Sequence, residues 1–269
     1  MRITFIGAGN MASALIGGLI ANGHEAGAIQ AVDPSDEQRR QVGARFGIAC
    51  HADLADAADC DAIVLAIKPQ VAAAVVCPLA TRIGDRLLII VAAGIRAPDL
   101  SRWLGGHRRI VRAMPNTPAL IGMGVTGLAA MPGLAEADRQ AAQEIVAAVG
   151  GTVWVEDEAL LDAVTAVSGS GPAYVFFFME QLERAGCAAG LSPAQARELT
   201  LATFRGAAEL AARSDEPLAV LRERVTSMGG TTAAALAVLG EGAVADGIGR
   251  GVAAACRRSR ELGDEFGKD

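Results

Sequence analysis

Three small residues near the N-terminus have a spacing suited to binding a dinucleotide. Gly7, Gly9 and Ala12 follow an apolar stretch, residues 3–6, in the pattern Gly-x-Gly-x-x-Ala. The first glycine allows a tight turn, the second lets the backbone approach a pyrophosphate, and the small third residue lets helix and strand pack closely. The N–H groups and positive dipole end of the next helix would face the phosphates. The predicted cofactor contacts in this turn are Ile6, Gly7, Ala8, Gly9, Asn10, Met11 and Ala12.

An acidic residue follows the second predicted strand. Asp33 comes directly after residues 28–32, where a carboxylate suits a ribose 2′-hydroxyl and repels a 2′-phosphate. An ordinary strand-to-helix turn is the alternative reading of the glycine pattern, and Asp33 favours the dinucleotide site. Arg39 and Arg40 lie close enough in sequence to reach a phosphate, so the preference between NADPH and NADH stays open at this point.

Three further turns with glycine or polar residues follow predicted strands, at residues 66–69, 92–94 and 114–118. Ligands of open parallel sheets lie beyond the carboxyl ends of the strands, so these turns should converge with the glycine turn on one crevice. Lys68 is one of two lysines in the chain and suits either a nicotinamide-facing position or a solvated loop. The additional predicted cofactor contacts are Ala66, Lys68, Pro69, Ala92, Ala93 and Gly94.

Two stretches in the second half, residues 168–174 and 226–232, place small and hydroxylated residues before predicted helices. Each would expose unpaired N–H groups and hydroxyls at a helix N-terminus, which suits a carboxylate ligand. A plain N-cap next to a glycine linker is the alternative. Asn116, between two prolines, likewise suits either a ligand contact or a turn.

Two carboxylates lie four residues apart near the middle of the chain. Glu158 and Asp162 are expected on one face of a helix. They are either surface carboxylates, or Glu158 faces the crevice and meets a cationic nitrogen of a substrate.

The elements that must position these residues indicate an α/β fold. Predicted strands alternate with helices up to residue 156, which indicates an N-terminal Rossmann-type, mostly parallel sheet. Alanine-rich helical segments follow. We therefore expect a dinucleotide-binding domain at 1–160 and an all-α C-terminal domain at 161–269. Because so small a helical domain can hardly bury all its apolar faces alone, we expect it to dimerise.

Composition narrows the functional class of the 269-residue chain. Its net charge of −6 argues against nucleic acid as a partner. Five scattered cysteines without Cys-x-x-Cys spacing are typical of a reducing cytoplasm, and three unpaired histidines predict no metal site. Residues 3–21 carry no charge, which raises a membrane span or signal peptide as an alternative, but four glycines and Asn10 argue against both.

Taken together, these motifs resemble those of pyrroline-5-carboxylate reductases. The matching stretches run nearly end to end, at residues 7–12, 67–69, 92–94, 114–118, 162–174 and 227–232. The resemblance implies that NADP(H), or NAD(H), delivers hydride to the imine carbon of 1-pyrroline-5-carboxylate to give L-proline, the last step of proline biosynthesis. It also implies a homodimer in which one subunit completes its partner's site, and higher assemblies of dimers.

The same resemblance assigns roles to residues of the second half. Thr231 and Thr232, with the backbone of Gly229 and Gly230, should hold the substrate carboxylate. The implied substrate contacts are Asn116, Ser227, Gly229, Gly230, Thr231 and Thr232. Glu158 matches an acidic position near the ring nitrogen, and a hydroxyl is an alternative source of the proton. The predicted catalytic residues are accordingly Glu158, Ser168 and Thr232.

Two departures and two rival functions bear on this assignment. Met228 stands where the family usually has proline, and Ala52 where relatives often carry an asparagine near the adenosine. The β-hydroxyacid dehydrogenases share the first motif but use a lysine four residues after a Gly-x-Gly, where this chain has Val175. A cofactor-binding regulatory protein without turnover is the rival from another class.

Overall fold

The alternation of strands and helices in the first half is confirmed by a computed structural model, which describes residues 1–57 and 59–268. The strands are β1 Ile3–Ile6, β2 Ile29–Val32, β3 Ala49–His51, β4 Ala62–Leu65, β5 Leu87–Ile90, β6 Ile110–Met114, β7 Gly124–Ala130 and β8 Gly150–Trp154. The helices among them are α1 Asn10–Ala21, α2 Asp36–Phe46, α3 Ala72–Val76, α4 Ala97–Trp103 and α5 Glu136–Ala147. Those that follow are α6 Leu161–Val164, α7 Gly171–Ala188, α8 Pro193–Ala212, α9 Leu218–Arg224, α10 Thr231–Glu241 and α11 Val244–Phe266.

The eight strands form one sheet in the order β3-β2-β1-β4-β5-β6-β7-β8. All neighbours are parallel except β6 and β7, whose connection is too short for the crossover that parallel strands need. Ile6 pairs with Val32 and with Leu65, and Leu65 pairs with Ile90. The four central strands therefore end at one level, and the turns that follow them lie along the same edge of the sheet.

Both faces of the sheet are covered, as the uninterrupted apolar strands predict for a parallel sheet. Ile3 and Phe5 point into a cluster with Leu15 of α1 and Ile145 of α5. The intervening Ile6 belongs to a second cluster on the other face. Successive residues of β1 thus serve opposite cores, because side chains alternate along a strand.

The compact units of the structure divide the chain differently from the expected boundary at residue 160. One unit comprises residues 1–170 together with 254–269, and the other comprises residues 171–253. Residues 161–170 stay with the sheet because Leu161 is buried and Val164 lies over Gly127 of β7, where an added Cβ would come within 2.5 Å of its Cγ1. We call the first the sheet unit and the second the helical unit.

The end of α11 joins the sheet unit through several polar contacts. The Ser259 hydroxyl donates to Asp162 Oδ1 at 2.6 Å, and both side chains are buried. Arg96 forms an ion pair with Asp264 at 2.8 Å and donates to the carbonyl of Arg260 at 3.1 Å. A sequence pattern indicates where strands end, but tertiary contacts such as these determine which residues pack in the same unit.

The helical unit buries very little by itself. Among its residues, all of which the structure describes, Ala196 and Thr200 alone are buried, whereas Phe176, Phe177 and Leu218 are exposed by 65%, 57% and 71%. An apolar groove of about 650 Å³ also runs between α7 and α11, lined by Tyr174, Phe177, Phe178, Leu239 and Ile248.

Length and composition alone would let residues 158–188 cross a membrane, and α10 with α11 pass the same test as a bent pair. A membrane or a protein partner are the two ways to cover such a surface.

Candidate active site

The glycine turn after β1 has the geometry that a bound pyrophosphate requires. Gly7 has φ +96°, and a Cβ there would lie 2.4 Å from the carbonyl oxygen of Ala66, so only glycine fits. Gly9, in contrast, faces open space, since an added Cβ would have nothing described within 4 Å. Ala12 is fully buried, which explains the small residue at the third position.

The first turn of α1 supplies the donors for that ligand. Gly9 is its N-cap, and no side chain among the described residues bonds to the cap. The first N–H groups of a helix have no partner within the helix, so those of Asn10 and Met11 face outward with the positive end of the dipole. Together with the open backbone at Gly9, this fits a dinucleotide pyrophosphate.

Asp33 links the glycine turn to the turn after β2. Its Oδ2 accepts a hydrogen bond from the backbone N–H of Ala8, and its Oδ1 accepts one from the N–H of Ser35, each at 2.8 Å. Arg39 donates to the backbone carbonyl of Asp33 at 2.7 Å. The carboxylate is therefore fixed beside the predicted cofactor site.

The turns after β4 and β5 lie along the same edge of the sheet as the glycine turn. Ala66 donates to the carbonyl of Ile6 at 2.8 Å, and the exposed Lys68 precedes the short helical turn that begins at Pro69. Gly94 has φ +78°, and an added Cβ would lie 3.0 Å from the Phe266 ring of α11. The glycine at position 94 thus has a local packing reason in addition to its predicted contact with the cofactor.

Asn116 and Ser168, predicted separately, are brought together by the structure. Asn116 Nδ2 donates to the carbonyl of Ser168 at 3.2 Å, and its Oδ1 accepts from the N–H of Val125 at 2.9 Å. The Ser168 hydroxyl donates to the carbonyl of Val164 at 3.0 Å, within a π-helical turn at Thr165–Gly169. Such turns are rare and frequently occur at functional sites. The amide of Asn116 thus links this turn to Val125 of β7.

Glu158 has two partners inside the sheet unit. Its Oε1 accepts from the N–H of Ala97 at 2.8 Å and from Arg112 Nη1 at 3.2 Å. Arg112 is 4% exposed, so this ion pair is largely desolvated. Asp162, expected on the same helical face, bonds instead to Ser259. The chain between the two residues passes from a 3-10 turn at Glu158–Leu160 into α6, and the expectation of a shared face stays a prediction.

Arg112 was not predicted from the sequence as part of this site. A charged residue in the middle of the apolar strand Ile110–Met114 was the available signal, since arginine is rarely buried unless it is paired. The buried guanidinium, the carboxylate of Glu158 and the N-terminus of α4 form one cluster.

The stretch predicted to bind the substrate carboxylate, residues 227–232, lies in the helical unit, and we call it the carboxylate loop. Gly230 donates to the carbonyl of Ser227 at 3.0 Å, and Gly229 has φ +69°, which together define a tight turn with the exposed Met228 at its second position. Gly230 is the N-cap of α10, and no described side chain bonds to this cap. The N–H groups of Thr231 and Thr232 therefore begin a helix as an anion site requires.

Metal ligands are not grouped in the part of the chain that the structure describes. No cluster of three or more His, Cys, Asp or Glu side chains occurs among residues 1–57 and 59–268. The five cysteines are free. The expectation of no metal stays a prediction.

Two family models match the chain. The model described as "Pyrroline-5-carboxylate reductase dimerisation" matches residues 158–262. The model described as "NADP oxidoreductase coenzyme F420-dependent" matches residues 2–94. These ranges contain the carboxylate loop and the glycine turn, respectively.

Similar proteins match over their full lengths. A pyrroline-5-carboxylate reductase of Pseudomonas aeruginosa is 45% identical over 269 residues, 99% of this chain and 98% of its own. The structure of a pyrroline-5-carboxylate reductase from Coxiella burnetii has a TM-score of 0.92 at 38% identity, covering 97% of this chain and 98% of that one. A Plasmodium falciparum pyrroline carboxylate reductase with NADP bound has a TM-score of 0.85 at 30% identity, with 98% of each chain covered.

Proposed function

The chain belongs to the pyrroline-5-carboxylate reductase family, and from this premise we propose that it reduces 1-pyrroline-5-carboxylate to L-proline with NAD(P)H. It is an oxidoreductase with a nicotinamide cofactor and acts in proline biosynthesis. The observation that carries the proposal is the glycine turn, where the open backbone at Gly9 meets the uncapped N-terminus of α1.

The chemistry needs positioning more than an activated nucleophile. When bound, the cofactor supplies the hydride, which adds to the carbon of the C=N bond while the nitrogen takes up the electron pair and a proton. A protonated imine accepts hydride readily, so orientation and charge placement can lower most of the barrier. The N–H groups at the start of α1 hold the pyrophosphate, and the predicted cofactor turns after β4 and β5 hold the nicotinamide half.

The carboxylate loop orients the substrate. The N–H groups at the start of α10 and the hydroxyls of Thr231 and Thr232 bind its carboxylate, with Ser227 and the backbone of Gly229 and Gly230 completing the loop. Thr232 is one candidate to hold the proton at the ring nitrogen. Ser168 is the other, and its hydroxyl would have to exchange its bond to Val164 for one to the substrate.

Glu158 and Asn116 act in this proposal through other groups. Glu158 already accepts from Ala97 and Arg112, and so fixes the start of α4 to the middle of β6. Asn116 fixes the π-helical turn that carries Ser168. Both are positioning residues here, and a direct contact of Glu158 with the ring nitrogen is the alternative that its conservative variant Glu158→Gln tests.

The proposed partners follow from the exposed helical unit and the charge of the chain. The match to a dimerisation family supports a homodimer or an assembly of dimers. The net charge of −6 supports the absence of nucleic acid, and a partner copy rather than a membrane would cover the apolar helices. Free cysteines support a cytoplasmic location.

Initial rates of 1-pyrroline-5-carboxylate reduction with NADPH and with NADH test the function. Thr232→Ala should raise the KM for the substrate about tenfold or more, because a hydrogen bond to a charged group is lost, and should leave the KM for the cofactor unchanged. Thr226→Ala is the matched control, since the Thr226 hydroxyl donates to the carbonyl of Arg222 and its loss should leave both KM values unchanged.

Absence of turnover with either cofactor would contradict the proposal and favour a cofactor-binding protein without catalysis. Oxidation of a β-hydroxyacid would favour the dehydrogenase alternative. Against that alternative, α7 contains no lysine to serve as the base.

A further inference from the structure

Asp33 places a fixed negative charge at the end of β2. Both carboxylate oxygens accept backbone N–H groups, from Ala8 and Ser35, so the side chain cannot rotate away without losing a bond. A carboxylate has about four acceptor positions, so two are left for further donors. A ribose 2′-hydroxyl can donate to one of them, whereas a 2′-phosphate brings only further negative charge.

The two arginines that follow on α2 are already engaged. Arg39 donates to the carbonyl of Asp33 and bonds to Asp36 at 3.0 Å, and Arg40 forms a second ion pair with Asp36. Glu37, on the same turn of the helix, accepts a hydrogen bond from Gln41 instead. The charges of Asp33 and Asp36 balance those of Arg39 and Arg40, so these four side chains present no net positive charge to a phosphate.

The thiol of Cys50, on the neighbouring strand β3, reports the same environment. Burial raises its pKa, Arg39 opposes that effect, and Asp33 adds to it.

We infer that Asp33 is a specificity-determining residue that makes this enzyme favour NADH over NADPH. The inference rests on the cofactor site of the proposed function. Asp36 contributes indirectly, because its ion pairs hold Arg39 and Arg40, which could otherwise bind a 2′-phosphate.

Equilibrium titration of the full-length protein with NADH and NADPH, followed by nucleotide fluorescence without substrate, tests the inference. The Kd for NADPH should exceed that for NADH by about tenfold or more at low salt, as expected for like charges close together near a protein surface. The ratio should shrink as salt is added. Asp33→Asn should bring the ratio close to one, by tightening NADPH and weakening NADH.

A second variant keeps the test independent of the glycine turn. Asp36→Asn frees both arginines on an exposed helix and should lower the Kd for NADPH severalfold while leaving that for NADH unchanged. Glu37→Gln is the matched control, because it removes the same charge one residue further along α2 and keeps an acceptor for Gln41. In Glu37→Gln, the ratio of the Kd for NADPH to the Kd for NADH should stay within about twofold of the wild-type ratio.

The inference is overturned if the wild type binds NADPH as tightly as NADH or more tightly, or if Asp33→Asn leaves the ratio unchanged. Because binding is measured without substrate, a clear preference with no turnover of 1-pyrroline-5-carboxylate would contradict the proposed function and not the inference. Turnover together with equal affinity for both nucleotides would support the proposed function and contradict the inference.

Discussion

The sheet unit and the helical unit differ in how much of its apolar surface each one buries by itself. In the sheet unit, whole strands such as β1 and β5 are buried and the charged Arg112 finds a partner in Glu158. In the helical unit, α7, α9 and α10 contain no buried residue among those described. The sheet unit therefore has its core within one chain, whereas the helical unit needs a partner to acquire one.

This difference separates two sources of stability. At about 25 cal/mol per Å² of apolar surface removed from water, covering the exposed phenylalanines of α7 would favour association by several kcal/mol, against which the entropic cost of binding must be set. That contribution depends on protein concentration, while the core of the sheet unit does not. Variants in the two units should therefore respond differently to dilution.

The largest effect is expected from Phe177→Asp in the helical unit. If a second copy covers the apolar groove as proposed, a charge placed there should prevent dimerisation, and activity should fall by about a hundredfold or more, because the charge cannot be buried unpaired. Sedimentation at micromolar concentration gives the mass. Ala137→Asp, which adds the same charge at an exposed position of α5, should keep the wild-type mass, and a wild type that sediments as a monomer would contradict the comparison.

Leu88→Ala should cost about 2–5 kcal/mol of unfolding free energy, because it leaves a cavity in the centre of the sheet unit, where Leu88 is fully buried. Denaturant unfolding should give the same loss at low and high protein concentration. Leu88→Ile, which conserves volume, should cost under about 1.5 kcal/mol. A loss of unfolding free energy that varies with protein concentration would contradict the proposed difference between the two units.

Glu158→Ala should cost about 2 kcal/mol of stability and lower turnover, because Arg112 and the N–H of Ala97 lose their acceptor. Glu158→Gln keeps an acceptor and should recover most of the stability. A positioning role predicts changes in KM for the cofactor and in kcat with an unchanged pH profile. A pH profile that shifts in the glutamine variant would instead support contact with the substrate nitrogen.

The smallest effect is expected from Met228→Pro. Gly229 has φ +69° and Gly230 bonds back to Ser227, so Met228 occupies the position of a type II turn where proline is favoured. Proline should stabilise the loop by about 0.4–1 kcal/mol through the unfolded state, and should lower the KM for the substrate slightly. Met228→Ala controls for the loss of the side chain, and a raised KM in the proline variant would show that the turn needs its freedom.

Local signals predicted much of both units. Helix α8 begins at Pro193, where a local sequence signal exists, because Ser192 and Gln195 form a capping box around its first turn. The glycine turn was predictable because each position has its own steric requirement. Between β4 and β5, in contrast, α3 is flanked by two 3-10 segments, one of them beginning at Cys77-Pro78, where proline interrupts the helix.

Contacts between distant residues were beyond a local pattern. Gly94 packs against Phe266, and Arg96 pairs with Asp264, across more than 160 positions of the chain. Periodicity reports whether a residue is buried, but not against which element it packs. For Asn116, the sequence left a ligand contact and a turn equally open, and its bonds to Val125 and Ser168 required the fold.

Helix α11 begins in the helical unit and ends in the sheet unit, so residues 254–269 complete the unit that residues 1–170 begin. During synthesis on a ribosome, a nascent chain of 250 residues would already carry all eight strands and still lack Phe266 and Asp264. The turn after β5 would meanwhile be exposed to chaperones and proteases. The contacts of Gly94 and Arg96 with α11 can therefore form only after Phe266 and Asp264 have been synthesised.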